Sequence, residues 1–349
     1  MPSVVQFTAP YQVDLVPTPP QELQPGHVRV ATWYSGISAG TELTAYRGSN
    51  TYLNGAWDTE ARIFRPGPPT FAYPVVGWGY SEVGQVVEVA DDVSDPKVGD
   101  VVYGIWGHRS DAVVPAERLA GRVLAPDVDP RRGAFARVGA IALNAILAGD
   151  LRLGDKVAIF GQGVIGLLAT RLSVLSGSEV LAIDVLPSRL EHAKDFGAAT
   201  TVVASPKVDT GEAVREAFHG PADVALEVSG NDMALHHAVR SVGADGLVVA
   251  SGYYQGGAPN LRLGEEFHHN RVRIVASQIS GTPVILGTRW DPQRLVSVFM
   301  GQVAAGRVDV ESLVTDVVDA ADVGEVFERL DEGDPRILQV LLRFEGAPA

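Results

Sequence analysis

The chain has no cysteine among its 349 residues, which removes disulfides, thiolate metal ligands and cysteine nucleophiles from consideration. It has no apolar run of about 18 residues, the length a membrane-crossing helix needs. The opening residues MPSVVQFTAPYQVDLV lack the basic start and apolar stretch of a secretory signal. Positive charge is scarce too: 28 Lys and Arg stand against 42 Asp and Glu, for a net charge of −14. That balance argues against nucleic acid or an anionic membrane as partner. Internal repeats and low-complexity tracts are also missing. The expectation left standing is a cytoplasmic chain that acts on a small molecule and is long enough for two domains.

What is present is organised around residues 157–184, VAIFGQGVIGLLATRLSVLSGSEVLAID. The apolar run VAIF, without polar alternation, suits a strand covered on both faces in a parallel sheet. Gly161, Gly163 and Gly166 follow as GxGxxG. The first allows a sharp turn, the second lets backbone approach a pyrophosphate, and the third lets the next helix pack closely on the strand. Val164 and Ile165 open that helix, whose free N–H groups and dipole favour phosphate. Gly177 stops the helix, a second strand covers 179–183, and Asp184 stands where a carboxylate accepts hydrogen bonds from the adenosine ribose. Strand, glycine turn, helix and acid together predict dinucleotide binding. Asp184 opposes a 2′-phosphate and so favours NAD over NADP, while Arg189 could stack on adenine or meet such a phosphate.

Upstream of this unit, residues 1–138 read as β-rich. Short β-branched runs at 27–34, 82–89, 100–103 and 110–114 are separated by proline and glycine punctuation, the pattern of a small barrel or sandwich. Tyr52, Trp57, Phe64 and Phe71 lie in a loop-like stretch, 49–74, as a substrate wall or as a plug for an open barrel end. Helical spacing takes over from Gly133 to Ala148, the expected joint between domains. Helix and strand then alternate to 276, the signature of a doubly wound parallel sheet. The chain is expected to return to the first domain at 289 through a helix and to finish with a strand at 338–344. The expected architecture is thus α/β: a GroES-like β-barrel domain (1–138 and 289–349) and a Rossmann domain (139–288).

In order along the chain, SGISAGTELTAYRG (35–48), YPVVGWGYSEVGQVVEV (73–89), VGDVVYG, LRLGDKVAIFGQGVIGLLATRL, AIDVLPSRLEHAKDFGA and LVTDVVDAADVGEVFERL resemble the medium-chain dehydrogenase/reductase family. That resemblance covers nearly the whole chain and implies the GroES-like and Rossmann domains, with hydride transfer between a nicotinamide and an alcohol or activated alkene. It further implies cofactor contacts at Ser229, Ser251, Gly252, Tyr253 and Ser277, and a homodimer formed through the last Rossmann strand, 271–279. Zinc-dependent relatives carry a catalytic Cys, a His–Glu pair and a third ligand before the interdomain helix. The matching positions here read as Ser38 or Ala39, Trp78 with Gly79, and about Ala140, none of which suits zinc. No metal is therefore expected. The paired histidines His236/His237 and His268/His269 are expected at the surface.

Without a metal, hydrogen bonds or a placed proton donor must stabilise the developing alkoxide. Ser38 and Thr41 match the relatives' relay hydroxyl, and Thr44 the relay histidine. Glu42 matches an orienting acid, unless an arginine such as Arg47 makes it structural. His108 is an acid/base candidate; a lone histidine can equally be a plain core or surface residue. Tyr46, Tyr80 and Tyr103 are further donors that the sequence does not rank. Three functions stay open. One is a zinc-independent NAD-preferring dehydrogenase or ketone reductase for a bulky secondary alcohol, a reading helped by the local likeness of SGISAGTE to bacteriochlorophyllide hydroxyethyl dehydrogenases. The others are an NADPH-dependent enoyl or quinone reductase and a non-catalytic dinucleotide-binding protein.

Overall fold

The computed structural model describes residues 1–348. It divides into a first unit, Met1–Arg137 together with the stretch from Asp309 onward, and a second unit, Val138–Val308.

Strands β1 (Ser3–Ala9) and β2 (Gln12–Pro17) open the first unit as an antiparallel hairpin. Strand β3 (His27–Gly36) follows, then helix α1 (Ala39–Arg47), the short helix α2 (Thr51–Asn54), hairpin β4 (Ala56–Asp58) and β5 (Ile63–Arg65), and the brief β6 (Val75–Val76). Strands β7 (Glu82–Val89), β8 (Val101–Gly104) and β9 (Asp111–Pro115) complete the N-terminal part. In the second unit come α3 (from Ala136–Ala148), β10 (Lys156–Phe160), α4 (Val164–Leu175), β11 (Glu179–Asp184), α5 (Pro187–Asp195) and β12 (Thr200–Val203). Helix α6 (Thr210–Ala217), β13 (Ala222–Glu227), α7 (Asp232–Ser241), β14 (Val242–Ala250), β15 (Arg273–Ala276) and α8 (Pro292–Ala304) finish it. Strand β16 (Val314–Asp319), α9 (Val323–Asp331) and β17 (Gln339–Arg343) close the first unit.

The first unit is GroES-like, with β16, β17, β3, β7 and β8 side by side, β9 also on β3, and a separate β2–β1–β6 sheet. The expected barrel thus takes the form of two sheets. Strand β3 shows why: β7 pairs with it on one side, while β9 takes its first half (His27–Ala31) and β17 its end (Tyr34–Gly36). Two apolar cores result. One gathers Val28, Val30, Val86, Val102 and Trp106; the other gathers Val5, Phe7, Val340, Leu342 and Phe327. Phe7 and Phe327 meet edge-on with ring centroids 5.1 Å apart. The 49–74 stretch, expected as loop, contains α2 and the β4–β5 hairpin.

All six strands of the second unit run parallel in the order β12-β11-β10-β13-β14-β15. Strand β10 is central, and its Val157, Ala158, Ile159 and Phe160 are buried. Side chains covered on both faces explain the unbroken apolar run. The chain returns to the first unit at Asp309 rather than 289, because α8 belongs to the second unit. Its buried Phe299 lies so close to Gly139 of α3 that a Cβ there would sit 2.1 Å from the ring.

Candidate functional site

Each unit carries a candidate site. In the second unit most residues expected at the cofactor gather at or just beyond the C-terminal ends of the strands, where open α/β sheets bind ligands, with Arg189 on α5. Gly161–Gly163 follows β10, Asp184 ends β11, Ser229 follows β13, Ser251 and Gly252 follow β14, and Ser277 follows β15. The register explains the convergence: Phe160 pairs with Ile183 on one side and Glu227 on the other.

The three loop glycines differ in kind. Gly161 has φ +96°, and a Cβ on it would lie 2.9 Å from that of Ser229. A Cβ on Gly166 would lie 1.9 Å from the Gly161 carbonyl oxygen. Gly163, the cap of α4, faces open space, with nothing within 4 Å of an added Cβ. Two glycines thus allow the chain to pack on itself and the middle one leaves room for a guest. Val164 and Ile165 form the first turn of α4 behind it. Asp184 is buried and fastened to this loop: one carboxylate oxygen accepts from Gln162 N at 2.6 Å and the other from Leu186 N at 2.9 Å. The Gln162 side chain is held by Ile159 O and Thr170 Oγ1. Arg189 Nη1 stands 4.0 Å from Asp184, and its buried Nε has no hydrogen-bond partner. These features fit an adenosine diphosphate moiety.

Glu227, which the sequence reading passed over, ties the far side of the cradle. Its carboxylate accepts from Ser229 N at 2.8 Å, from the Ser229 hydroxyl, from Gly230 N and from the Tyr254 hydroxyl. Burial raises its pKa above the usual carboxylate value, with those hydrogen bonds pulling the other way. A glutamate at the end of a parallel strand was the available signal. The hydroxyls of Ser251 and Ser277 are buried without a partner, while Tyr253 is partly exposed.

In the first unit, Glu42 and His108 are both fully buried. This corrects the candidacy of His108 as an acid/base that touches substrate, while Glu42 keeps the orienting place expected of it. His108 Nε2 lies 2.7 Å from Glu42 Oε2, and Nδ1 lies 2.5 Å from Ser35 Oγ. Ser35 also reaches Glu82 Oε1 at 3.1 Å, and Glu82 Oε2 accepts from Trp106 N at 2.7 Å. With the Ser35 hydroxyl donating to Glu82, both ring nitrogens of His108 carry protons. Burial disfavours that charge, but the charge and hydrogen bond of Glu42 and the charge of Glu82 outweigh it and raise the His108 pKa. Arg47, weighed as a partner for Glu42, pairs instead with Asp331.

This buried network positions the more accessible groups. Glu42 Oε1 accepts from Ser38 N at 2.8 Å. His108 lies under the 77–81 stretch: its N–H bonds Trp78 O at 3.1 Å, and a Cβ on Gly79 would fall 2.8 Å from Nε2. Two distant segments are therefore fixed against one Glu–His pair. They bring the Tyr80 hydroxyl into hydrogen-bonding contact with Ser38 Oγ and within 3.3 Å of Thr41 Oγ1. Ser38, Thr41 and Tyr80 are all partly exposed. Thr44 is buried and bonded to Thr41 O and Asn50, which makes it part of the helix packing.

The other candidates fall elsewhere. Tyr46 packs against Phe327 in the core, and the Tyr103 hydroxyl reaches only Gly121 O at 3.4 Å. The aromatics of 49–74 form one chain, with Tyr52 against Phe64 and Phe71, Trp57 against Phe64, and Phe71 edge-on to Trp78. His268 and His269 are exposed as expected, but His236 is buried on α7 with Nδ1 unpartnered. Among the described residues no group of three or more His, Asp or Glu is arranged to hold a metal ion, and no helix is long and apolar enough to cross a membrane.

Comparison with known proteins places this geometry. Residues 164–295 match the zinc-binding dehydrogenase family. The D-guloside 3-dehydrogenase of Shigella flexneri is 25% identical over 342 residues, covering 94% of this chain and 95% of the relative. The (R,R)-butanediol dehydrogenase of Bacillus subtilis (strain 168) is 28% identical over 293 residues, 76% of this chain and 79% of the relative. A solved 2R,3R-butanediol dehydrogenase from Bacillus subtilis superposes with a TM-score of 0.79 at 23% identity, over 99% of this chain and 100% of its own. An alcohol dehydrogenase from Escherichia coli CFT073 complexed with NADH gives 0.78 at 20% identity, over 98% and 99%. With a GroES-like unit and a Rossmann unit, the chain is similar over most of its length to medium-chain, zinc-type alcohol dehydrogenases and shares their fold.

Proposed function

We propose that this chain is a zinc-independent, NAD-preferring dehydrogenase or ketone reductase acting on a bulky secondary alcohol or its ketone. The observation that carries the reading is the finished dinucleotide cradle, in which the buried Asp184 carboxylate is hydrogen-bonded to the glycine loop beside the open face of Gly163. A nicotinamide dinucleotide bound there supplies or accepts the hydride. Residues 161–166 would hold its pyrophosphate, Asp184 its adenosine ribose, and Ser229, Ser251, Gly252, Tyr253 and Ser277 the remainder.

Zinc independence is supported by donor chemistry. Zinc binds thiolate, imidazole and carboxylate, yet the chain has no cysteine and its accessible polar cluster consists of Ser38, Thr41 and Tyr80. Trp78 and Gly79 lie beside this cluster, and Ala140 is buried on α3. The histidine and carboxylates nearest it are already engaged, His108 directly with Glu42 and through Ser35 with Glu82. These residues do not fit a zinc ion. A bulky substrate is supported by the linked aromatics, with Phe64 47% exposed.

Fluorescence titration with NADH and NADPH, on wild type and Asp184→Ala, tests the reading. We expect NADH to bind more tightly and the substitution to narrow the difference. The NADPH-dependent reductase is the second reading, favoured by the unpartnered Nε of Arg189 beside Asp184; tighter NADPH binding would establish it instead. We also propose a homodimer through β15, an outer strand of the six-stranded sheet. Light scattering on a variant with Ile274 and Val275 changed to lysine should then report monomer, and an unchanged mass rules this out.

A further inference from the structure

Resting on the dehydrogenase reading and deepening it, we propose that Tyr80 donates and accepts the proton of the reacting oxygen in a metal-free site made with Ser38 and Thr41 and polarised by Arg137. Three side chains from two separate parts of the first unit meet here, Ser38 and Thr41 at the start of α1 and Tyr80 just before β7, while Arg137 at the start of α3 acts on the Tyr80 phenol through its charge.

Ser38 gives the first sign. It stands at the N-cap of α1, where a serine side chain ordinarily bonds a free N–H of the first turn, yet it makes no such bond. Its hydroxyl is turned to Tyr80 instead. The second sign is Arg137, which is partly buried and makes no hydrogen bond or ion pair with a carboxylate among the described residues. Withdrawing a cation from water without a counter-charge is costly. The titratable neighbours that act on Arg137 are the Tyr80 phenol and another guanidinium, Arg122. A negative charge forming at Tyr80, or on an oxygen bonded to it, would supply the missing partner.

The resting phenol is protonated. Burial pushes it above its ordinary 10.0, the hydrogen bonds from Ser38 and Thr41 and the charge of Arg137 oppose the rise, and Glu42 adds to it. Tyr80 is therefore ready to act as an acid in carbonyl reduction. A bound reduced nicotinamide would supply the hydride to the carbonyl carbon, with the C=O π pair passing to the oxygen. The phenol O–H bond breaks as that oxygen takes the proton, leaving a tyrosinate that Ser38, Thr41 and Arg137 stabilise until water reprotonates it. Alcohol oxidation reverses each step and requires the ionised phenol, so its rate should climb with pH toward the phenol pKa.

The test compares wild type with Tyr80→Phe, Arg137→Met and Arg137→Lys, using NADH and a panel of bulky ketones. We expect Tyr80→Phe to lower kcat by at least about a hundredfold, the usual scale for losing a positioned acid, with NADH affinity unchanged by fluorescence. Arg137→Met should lower kcat and move the alkaline limb of the alcohol-oxidation profile to higher pH, while Arg137→Lys restores most of both. A second readout needs no turnover: the 13C resonance of the Tyr80 Cζ, identified by its loss in Tyr80→Phe, should titrate at higher pH in Arg137→Met. Retention of kcat within about threefold in Tyr80→Phe, or an unmoved Tyr80 titration in Arg137→Met, overturns the proposal while leaving the dehydrogenase intact. A wild type that binds NADH but reduces no ketone overturns the dehydrogenase reading, and this proposal with it.

Discussion

The dinucleotide cradle and the hydroxyl cluster are made of different material. Backbone forms the cradle: a turn at Gly161, the open flank of Gly163, and a helix start that Gly166 lets lie against the preceding carbonyl. Its one essential side chain, Asp184, is held by two backbone N–H groups. Side chains form the cluster, and every one depends on another. Ser38 and the 77–81 stretch are placed by Glu42 and His108, which bond each other, and His108 in turn bonds Ser35 and, through it, reaches Glu82. A backbone site tolerates change wherever it faces open space, whereas a site of interlocked side chains transmits the loss of any one buried member.

The sharpest way to break this contrast is His108→Ala. It leaves two buried carboxylates without their cation, and breaking such a buried pair costs about 3–5 kcal/mol, measurable by urea unfolding. A loss under about 1 kcal/mol would show that the network does not hold the first unit together. Gly166→Ala comes next. Its Cβ would meet the backbone oxygen of Gly161 at 1.9 Å, so overpacking should cost about 2–3 kcal/mol and abolish NADH binding. Asp184→Ala should weaken NADH about tenfold, or about 1.4 kcal/mol. Gly163→Ala sits at the bottom of the scale for folding, within about 0.5 kcal/mol of wild type, because its Cβ points into open space. It should still weaken NADH, since that space is where the pyrophosphate is expected; stability loss with unchanged affinity would contradict the assignment of the two glycines.

A finer separation comes from pH. His108 and Glu82 both hold protons more tightly in the fold than their ordinary values of 6.5 and 4.5 imply; burial raises Glu82, and its neighbours raise His108 against burial. A group with a raised folded pKa contributes stability that is complete below its unfolded value and lost as pH climbs through the folded one. The melting temperature should therefore fall as pH rises above 6.5, and His108→Asn should remove that part of the slope. The cradle variants should leave it in place.

The same difference decides what the sequence could reveal. The cradle was legible because its parts lie close together in the chain and each has a residue-type signature: an apolar strand, three spaced glycines and an acid ending the next strand. The hydroxyl cluster was half legible. Ser38 and Thr41 stood out, but Tyr80 could not be ranked above Tyr46 and Tyr103, because only the fold shows which tyrosine meets Ser38. His108 and Glu42 carry their chemistry in the sequence, which leaves open whether His108 is an acid/base or a core residue. The fold decides it: both are completely buried, with the 77–81 stretch lying across His108. The late return to the first unit was missed for a similar reason. Helix α8 has the apolar spacing of any packed helix, and only the fit of Phe299 against Gly139 assigns it to the second unit.

The central claim is that hydroxyls, rather than a metal, handle the reacting oxygen. The most direct measurement is NADH-dependent ketone reduction by chelator-treated protein, with zinc content determined on the same sample. The account predicts full activity at substoichiometric zinc and no gain when zinc is restored. Activity that disappears with the metal and returns in proportion to added zinc would contradict it.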